Sequence, residues 1–358
     1  MPVYRSENGT FYSQRFYRDG KGAKRHKAKR GFETELEALA WEKDFLSMHS
    51  GTMDMLFADF VDVYAAEVRP RIREHTWINK EYMIKDKLIP FFGKMRMSDI
   101  KPIDVVRWQN ELMTHPGKGG KPYSPTYLRT LNNQLSAIFN HAERYYDLQN
   151  NPCNKVAKIG SKKGKEMRFW TKDEYLKFSD AIMDKPLSFY IFEILYWTGV
   201  RIGELLALTP ADFLFGTSEL SITKSYQCLR GVDTITDPKT PKSIRRIAMP
   251  KFLADEMKEY LEEFRTDIGE HDRIFPVTKH YLGHEMDRSC KATGVKRIRI
   301  YDLRHSHVSL LIEMGFSALA IAECVGHEST DITYRYAHLF PNKQSEIANA
   351  LNGTKGGD

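Results

Sequence analysis

Residues 155–172 read KVAKIGSKKGKEMRFWTK, with seven Lys or Arg, one Glu and no apolar period. A run of that kind resists burial, because unpaired charges are costly to desolvate. Residues 151–168 are therefore expected to be a basic linker between bodies with separate cores. The 358-residue length allows two or three such domains. A second cationic block lies upstream. Residues 14–31, QRFYRDGKGAKRHKAKRG, hold eight Lys or Arg and one Asp. The net charge is +7 and the sequence pI about 9.0. Clustered positive charge suits a polyanion and binds it in a salt-dependent way, by counterion release. For either block alone, a solvated face or flexible tail is the plain alternative. The candidate polyanion contacts are Arg15, Arg18, Lys21, Lys24, Arg25, Lys27 and Lys29, with Lys162, Lys163 and Lys165 in the linker.

Other classes are disfavoured. No apolar run approaches the roughly 18 residues of a membrane span, and MPVYRSENGT at the start has no hydrophobic segment, so no secretion signal is expected. Cys153, Cys228, Cys290 and Cys324 are far apart and form no CxxC pair. A zinc site or disulfide framework is not expected, and a reduced, intracellular protein is.

The pattern along the chain predicts a mainly α fold with small β elements. TFYSQRFYR, the Asp-Gly turn signal in RDGKG and KRHKAKRGF predict a small sheet. Thr34 and Glu37 have capping-box spacing and open one helix, giving a domain over 1–50. Residues 54–150 are expected to be all-helical. In the first helix Leu56, Phe60, Val63 and Tyr64 share a face, and Pro70 ends it. The second is broken near Pro90 and Gly93. Ser98 caps the third. The fourth turns Leu128, Leu131, Leu135, Ile138 and Phe139 inward. Thr171 restarts helix after the linker, in a mixed α/β domain over 169–345. LSITKSYQCL and DTITDPKTPKSIRRIAMP alternate as strands, and AIAECVGHES and DITYRYAHLF are helical pieces. A tail covers 346–358.

Four segments of that last domain stand out. In YWTGVRIGELLALTPADF, Arg201 follows a Gly turn at a helix start; its plain reading is a salt bridge with Glu204. In DPKTPKSIRRIAMP, Lys239 sits in a turn, where exposed lysines are common. In RIYDLRHSHVSLL, Arg304, His305 and His307 crowd a helix start, beyond what a satisfied core pair needs. In VGHESTDITYRYAHLF, His327 precedes a turn and Tyr336 follows; most tyrosines are core or surface residues.

Together, TGVRIGELLAL, PKTPKSIRR, YDLRHSHVSLL and VGHESTDITYRYAHL resemble the tyrosine recombinase, or phage integrase, family, in order and separation. The catalytic resemblance covers about residues 165–345. By pattern, the basic sheet-plus-helix resembles the arm-binding domain, and the helical segment the core-binding domain, of mobile-element integrases. The resemblance implies transesterification of a DNA phosphodiester. A tyrosine attacks phosphorus and the 5′-hydroxyl leaves, giving a 3′-phosphotyrosine. Bond energy is retained in that intermediate, so no cofactor or metal is needed. The transition state gathers negative charge, which guanidinium forks suit. Arg201 and Arg304 would clamp the phosphate, Lys239 protonate the leaving oxygen, His327 donate a hydrogen bond and Tyr336 attack. Tyr334 lies two positions away, on another helix face. The family nucleophile stands just before x-His-Leu, which favours Tyr336, with Tyr334 as core or backbone contact.

The chain departs from the family at one place, reading Tyr-x-x-Arg where His-x-x-Arg is usual. Tyr301 keeps a hydrogen-bond donor, but a phenol with a reference pKa near 10 shuttles protons poorly at neutral pH. Either Tyr301 only donates a hydrogen bond to the phosphate, or the chain leans on His305 or bulk water for the proton.

The implied partners are double-stranded DNA at core-type and arm-type sites, held in a clamp between the helical and catalytic domains. The basic residues of the N-terminal sheet would reach the arm site. Strand exchange between two duplexes implies a homotetramer on DNA. A directionality factor and a host DNA-bending protein belong to the same picture, as does a cytoplasmic, nucleoid-associated location in a bacterial host. The alternatives are a cellular recombinase that resolves chromosome dimers, a type IB topoisomerase, and a catalytically silent DNA-binding protein of the same fold. The tail NKQSEIANAL, with Ile347, Ala348 and Leu351 on one face, docks either on a neighbouring protomer or on its own domain.

Overall fold

The structure is a computed structural model. It describes residues 3–6, 8–18, 24–49, 53–114, 117–161, 167–238, 240–327, 329, 333–334 and 336. Lys21, Lys162, Lys163, Lys165 and Lys239 lie outside the described residues, as do residues 337–358. So do the side chains of Arg15, Arg18, Lys24 and Arg25. The chain divides into two compact units, residues 1–165 and 166–358.

The first unit opens with an antiparallel sheet of β1 (Val3–Arg5), β2 (Phe11–Arg18) and β3 (Lys24–Phe32), in that order. Helix α1 (Glu35–His49) packs across it. Its start carries the expected cap: the Glu37 N–H donates to Thr34 Oγ1 at 3.2 Å, and the Glu37 carboxylate accepts from the Glu33 N–H at 3.1 Å. Trp41 stacks on Phe45, and Phe32 tilts against it. This leaves His26, Lys27, Ala28, Lys29 and Arg30 of β3 exposed.

Next come α2 (Phe57–Val68), α3 (Glu74–Met83), α4 (Ile89–Phe92), α5 (Pro102–Thr114) and α6 (Pro125–Tyr145). The face of α2 differs from the expected one. Phe57, Phe60, Val61 and Tyr64 are buried, at i, i+3, i+4 and i+7, whereas Leu56 is 37% exposed at the N-cap. Pro90 does not break the second helix. The chain winds through a π turn, Ile84–Leu88, into α4, where Pro90 falls in the first turn and its missing N–H costs nothing. Ser98 does not cap the third helix either. That helix begins at Pro102, a favoured first position, and the Asp104 carboxylate accepts the Lys101 N–H at 2.9 Å. In α6, Leu128, Leu131, Leu135, Ile138 and Phe139 all point inward, as their spacing predicts. Residues after α6 fold back on this bundle: Gln109 donates to the Ala157 carbonyl at 3.0 Å, and Val156 and Ile159 pack on its core.

The second unit begins with Trp170, whose N–H donates to Ser306 Oγ at 2.9 Å and whose indole donates to the Lys296 carbonyl at 2.7 Å. Helix α7 (Lys172–Asp180) carries a complete capping box between Thr171 and Glu174. Helix α8 (Pro186–Thr198) is apolar nearly all round and runs through the core. It is followed by α9 (Ile202–Leu205), β4 (Phe213–Leu214), β5 (Glu219–Ile222), β6 (Ser225–Leu229), β7 (Val232–Thr236) and β8 (Arg245–Ala248). The β region is two sheets. LSITKSYQCL is interrupted: β5 lies between β4 and β8, while β6 forms a separate hairpin with β7. Lys224, at the interruption, is pinned to Asp212 at 2.6 Å. Helices α10 (Lys251–Phe264), α11 (Lys279–Thr293), α12 (Asp302–Glu313) and α13 (Ala318–Val325) complete the described elements. Among the described residues no helix is long and apolar enough to cross a membrane.

Candidate active site

Two helix ends and one helix start converge in the second unit. Helix α8 ends on Gly199 in the left-handed conformation, φ 61°. A Cβ there would also meet His307 Cδ2 at 2.6 Å, so the position is closed to other residues on two counts. The chain leaves it extended and places Arg201 as N-cap of α9. Helix α13 ends on Gly326 at φ 66°, with the Gly326 and His327 N–H groups returning to Glu323 and Ala322 carbonyls. That Schellman-type stop turns His327 into the same region. Helix α12 supplies Arg304 and His305 from its first turn.

Arg304 is 2% exposed. Its Nη1 donates to the Gly199 carbonyl at 2.8 Å and its Nη2 to the Val325 carbonyl at 2.6 Å. It thus ties together the two helix ends. Its Nε–H is buried without a partner, and it has no carboxylate partner among the described residues. Burial, then the Arg201 charge, pull its pKa down to about 10, so it stays charged at neutral pH.

Arg201 is partly buried. It pairs with Glu204 Oε1 at 2.8 Å and donates to the Gly326 carbonyl at 3.1 Å. The plain reading of Arg201 as a helix-end salt bridge is therefore met, and the same side chain reaches the site. Buried Glu204 is shared: its Oε2 also takes Arg245 Nη2 at 2.9 Å. Burial alone would raise the Glu204 carboxyl, but the hydrogen bond and charge of Arg245, with Arg201 adding, hold it below its ordinary value. Two guanidinium groups therefore share one carboxylate, and the third, Arg304, is held among the described residues by carbonyl oxygens alone.

His327 Nδ1 meets Thr333 Oγ1 at 2.8 Å. Burial, then the Arg304 and Arg201 charges, push its pKa down to about 3, so it is neutral. His307 faces the other way. Its Nδ1 donates to the Tyr196 carbonyl at 2.9 Å beneath Gly199, and burial lowers it to about 4. It supports the Arg201 turn from within the core.

Tyr336 is 2% exposed, packed on Val308, Ile312, Ile321 and Val325, with its hydroxyl bonded to His305 Nδ1. Tyr334 is 58% exposed. Tyr301 is 46% exposed, edge-on to the His305 ring at 5.3 Å between centroids. The structure thus brings Arg201, Arg304, His327, Tyr336 and Tyr301 into one neighbourhood. Lys27 and Lys29 lie in the other unit, on the exposed stretch of β3; Lys29 sits over the rings of Phe32 and Trp41.

Two members escaped the sequence reading. Arg245 is one. Its signal was the period of β8: it alternates onto the same face as buried Ile247, while Arg246 points out. Asp302 is the other. It is buried, accepts Arg299 at 2.7 Å, and lies three residues before His305 on α12.

Family models match in three blocks: an Arm DNA-binding domain over residues 2–48, a phage integrase N-terminal SAM-like domain over 56–113, and the phage integrase family over 168–343. The ICEBs1 integrase of Bacillus subtilis is 32% identical over 83% of this chain and 82% of its own length. A tyrosine recombinase XerC-like protein of Caldanaerobacter subterraneus is 27% identical over 98% of this chain and 94% of its own. Among solved structures, the Tn1549 transposon integrase in complex with a circular intermediate DNA superposes with a TM-score of 0.67. It is 18% identical and covers 83% of this chain and 99% of that one.

Proposed function

The chain belongs to the phage integrase family of tyrosine recombinases, which are DNA strand-transferases, and on that premise we propose that Tyr336 is its nucleophile. Attack by Tyr336 Oη on a phosphodiester forms the tyrosyl–phosphorus bond and breaks the bond to the 5′-oxygen, which leaves with a proton. The observation that carries the reading is the charge at the site. Arg201 and Arg245 share the single carboxylate of Glu204, while buried Arg304 has only carbonyl partners among the described residues, and its chain neighbour His305 holds the Tyr336 hydroxyl. A buried guanidinium without an anion is costly. A phosphate supplies one, and the pentacoordinate transition state supplies more negative charge still.

In this reading Arg201 and Arg304 clamp the non-bridging oxygens. Neutral His327, with Thr333 on Nδ1, offers Nε2–H to the phosphate. Tyr301 lends a hydroxyl donor at the exposed rim, and Lys239 is the acid for the leaving oxygen. The substrate is double-stranded DNA at defined sites, and the reaction integrates or excises a mobile element. Exchange between two duplexes cuts four strands, so the working form is a tetramer on DNA. The exposed Lys27 and Lys29 of β3 are phosphate or groove contacts of the N-terminal domain, with Arg15, Arg18, Lys21, Lys24 and Arg25 beside them in sequence. Lys162, Lys163 and Lys165 are backbone contacts. The working place is the bacterial cytoplasm.

The test is covalent trapping on nicked duplexes tiled across the DNA that flanks the gene. A denaturing gel and peptide mapping read the product. Wild type and Tyr334→Phe are expected to form an adduct at residue 336, and Tyr336→Phe none. A persistent adduct in Tyr336→Phe would falsify the assignment. No adduct from wild type on a duplex it binds would mark a silent DNA-binding protein instead.

A further inference from the structure

A tyrosine must lose its proton to attack phosphorus, and Tyr301, the residue at the usual histidine position, is a phenol that stands half exposed. The Tyr336 hydroxyl instead meets the imidazole of His305, bonded to its Nδ1. On the far side of the ring, Nε2 lies 3.9 Å from Oδ1 of buried Asp302. That carboxylate favours the tautomer with hydrogen on Nε2, which leaves the Nδ1 lone pair facing the tyrosine. Asp302 is itself fixed. It accepts the Arg299 backbone N–H at 2.9 Å and the Arg299 guanidinium at 2.7 Å.

We infer that His305 is the base that accepts the Tyr336 proton, with Asp302 as the positioning residue behind it. The inference rests on Tyr336 being the nucleophile. In the forward step the Oη–phosphorus bond forms, the proton moves from Oη to His305 Nδ1, and the phosphorus–O5′ bond breaks. The departing oxygen takes a separate proton, from Lys239. In the rejoining step the 5′-hydroxyl attacks phosphorus and gives its proton back to Lys239, the phosphorus–Oη bond breaks, and His305 returns its proton to the departing Tyr336. No oxidant or metal is needed. The order of groups, carboxylate then imidazole then nucleophile hydroxyl, is that of other hydroxyl nucleophiles activated by histidine.

The charged and titratable groups that face His305 are Tyr301, Asp302, Arg299 and Arg304 from its own segment, His327 from the end of α13, and Tyr336. Burial, with Arg299 and Arg304, lowers the imidazole below its ordinary value against the opposing pull of Asp302. It is thus the free base at neutral pH, as the role requires.

The experiment compares wild type, His305→Gln and Lys239→Ala on the trapped duplex, with an ordinary phosphate and with a 5′-bridging phosphorothiolate. A thiolate leaves without needing a proton, so it rescues loss of the acid and not loss of the base. His305→Gln is expected to bind DNA within about twofold of wild type but to form the adduct about 100-fold more slowly on both substrates. Its rate should rise tenfold per pH unit, since only self-ionised tyrosine then attacks. Lys239→Ala should recover on the phosphorothiolate. A wild-type rate in His305→Gln, or its rescue by the phosphorothiolate, would overturn the inference while leaving Tyr336 in place. An adduct mapped to another residue, or none from wild type, overturns the nucleophile assignment and this inference with it.

Discussion

Replacing Arg245 with Met tests whether the shared carboxylate organises the site. The substitution keeps the unbranched stem and removes two hydrogen bonds, to Glu204 at 2.9 Å and to the Ser243 carbonyl at 3.0 Å. Glu204 stays buried, with only the partly exposed Arg201 beside it. Breaking one side of a buried pair costs about 3–5 kcal/mol. Methionine also removes a buried N–H, Arg245 Nε, that has no partner, a relief of about 1 kcal/mol. The net loss is then about 2–4 kcal/mol. For a unit of the size of residues 166–358 this lowers the melting temperature of its transition by about 5–15 °C. Circular dichroism melts of the full chain read it. The double variant Arg245→Met/Glu204→Gln should recover about 1–2 kcal/mol, because the stranded charge is gone. The rate of adduct formation should fall about 10- to 100-fold in Arg245→Met, since the Glu204 carboxylate that orients Arg201 is then held from one side only. A melt within 2 °C of wild type (about 0.5–1 kcal/mol), or a double variant no more stable than the single one, would refute the reasoning.

Three further outcomes are expected. Gly199→Ala forces a left-handed alanine and a Cβ 2.6 Å from His307, costing about 3 kcal/mol in urea unfolding; a loss under about 1 kcal/mol would contradict the packing argument. His307, held neutral down to about pH 4 when folded, takes up its proton near pH 6.5 when unfolded, so the folded form is favoured above that range and loses about 1.4 kcal/mol per pH unit as pH falls through it. His307→Asn, which keeps a donor for the Tyr196 carbonyl, should flatten that slope in denaturant titrations between pH 4 and 6.5. Lys27→Gln with Lys29→Gln should weaken duplex binding similarly across sequences and reduce the log–log salt slope by about 0.9 per lost phosphate contact; an unchanged slope would remove these two lysines from the interface.

Residue types and spacing carried the helical periods of residues 54–150, the capping of α1 and α7 and the motif residues themselves. Each of those is a local property: a period of 3.6, a cap within three residues, a glycine that alone tolerates φ above zero. The same local logic failed where alternatives were locally equal. Leu56 and Phe57 are both apolar at a helix start, and contacts with Phe92 and Phe139 decide that Phe57 goes inside. Pro90 reads as a breaker until a π turn places it in a first helical turn, where its ring is harmless.

The sequence by itself determined the chemistry to expect through the resemblance of four segments to one family, whose implied fixed positive charge, nucleophile and proton donors are what a phosphoryl transition state demands. Only the tertiary structure decided how those groups are held. Glu204 meets Arg245 across 41 residues of chain, Arg304 meets Gly199 across 105, and His305 meets Tyr336 across 31. Of two tyrosines two positions apart, one hydroxyl ends against an imidazole and the other in solvent. Contacts of that kind depend on which helix ends pack together, and packing is a property of the whole core, to which the local pattern around each residue is blind.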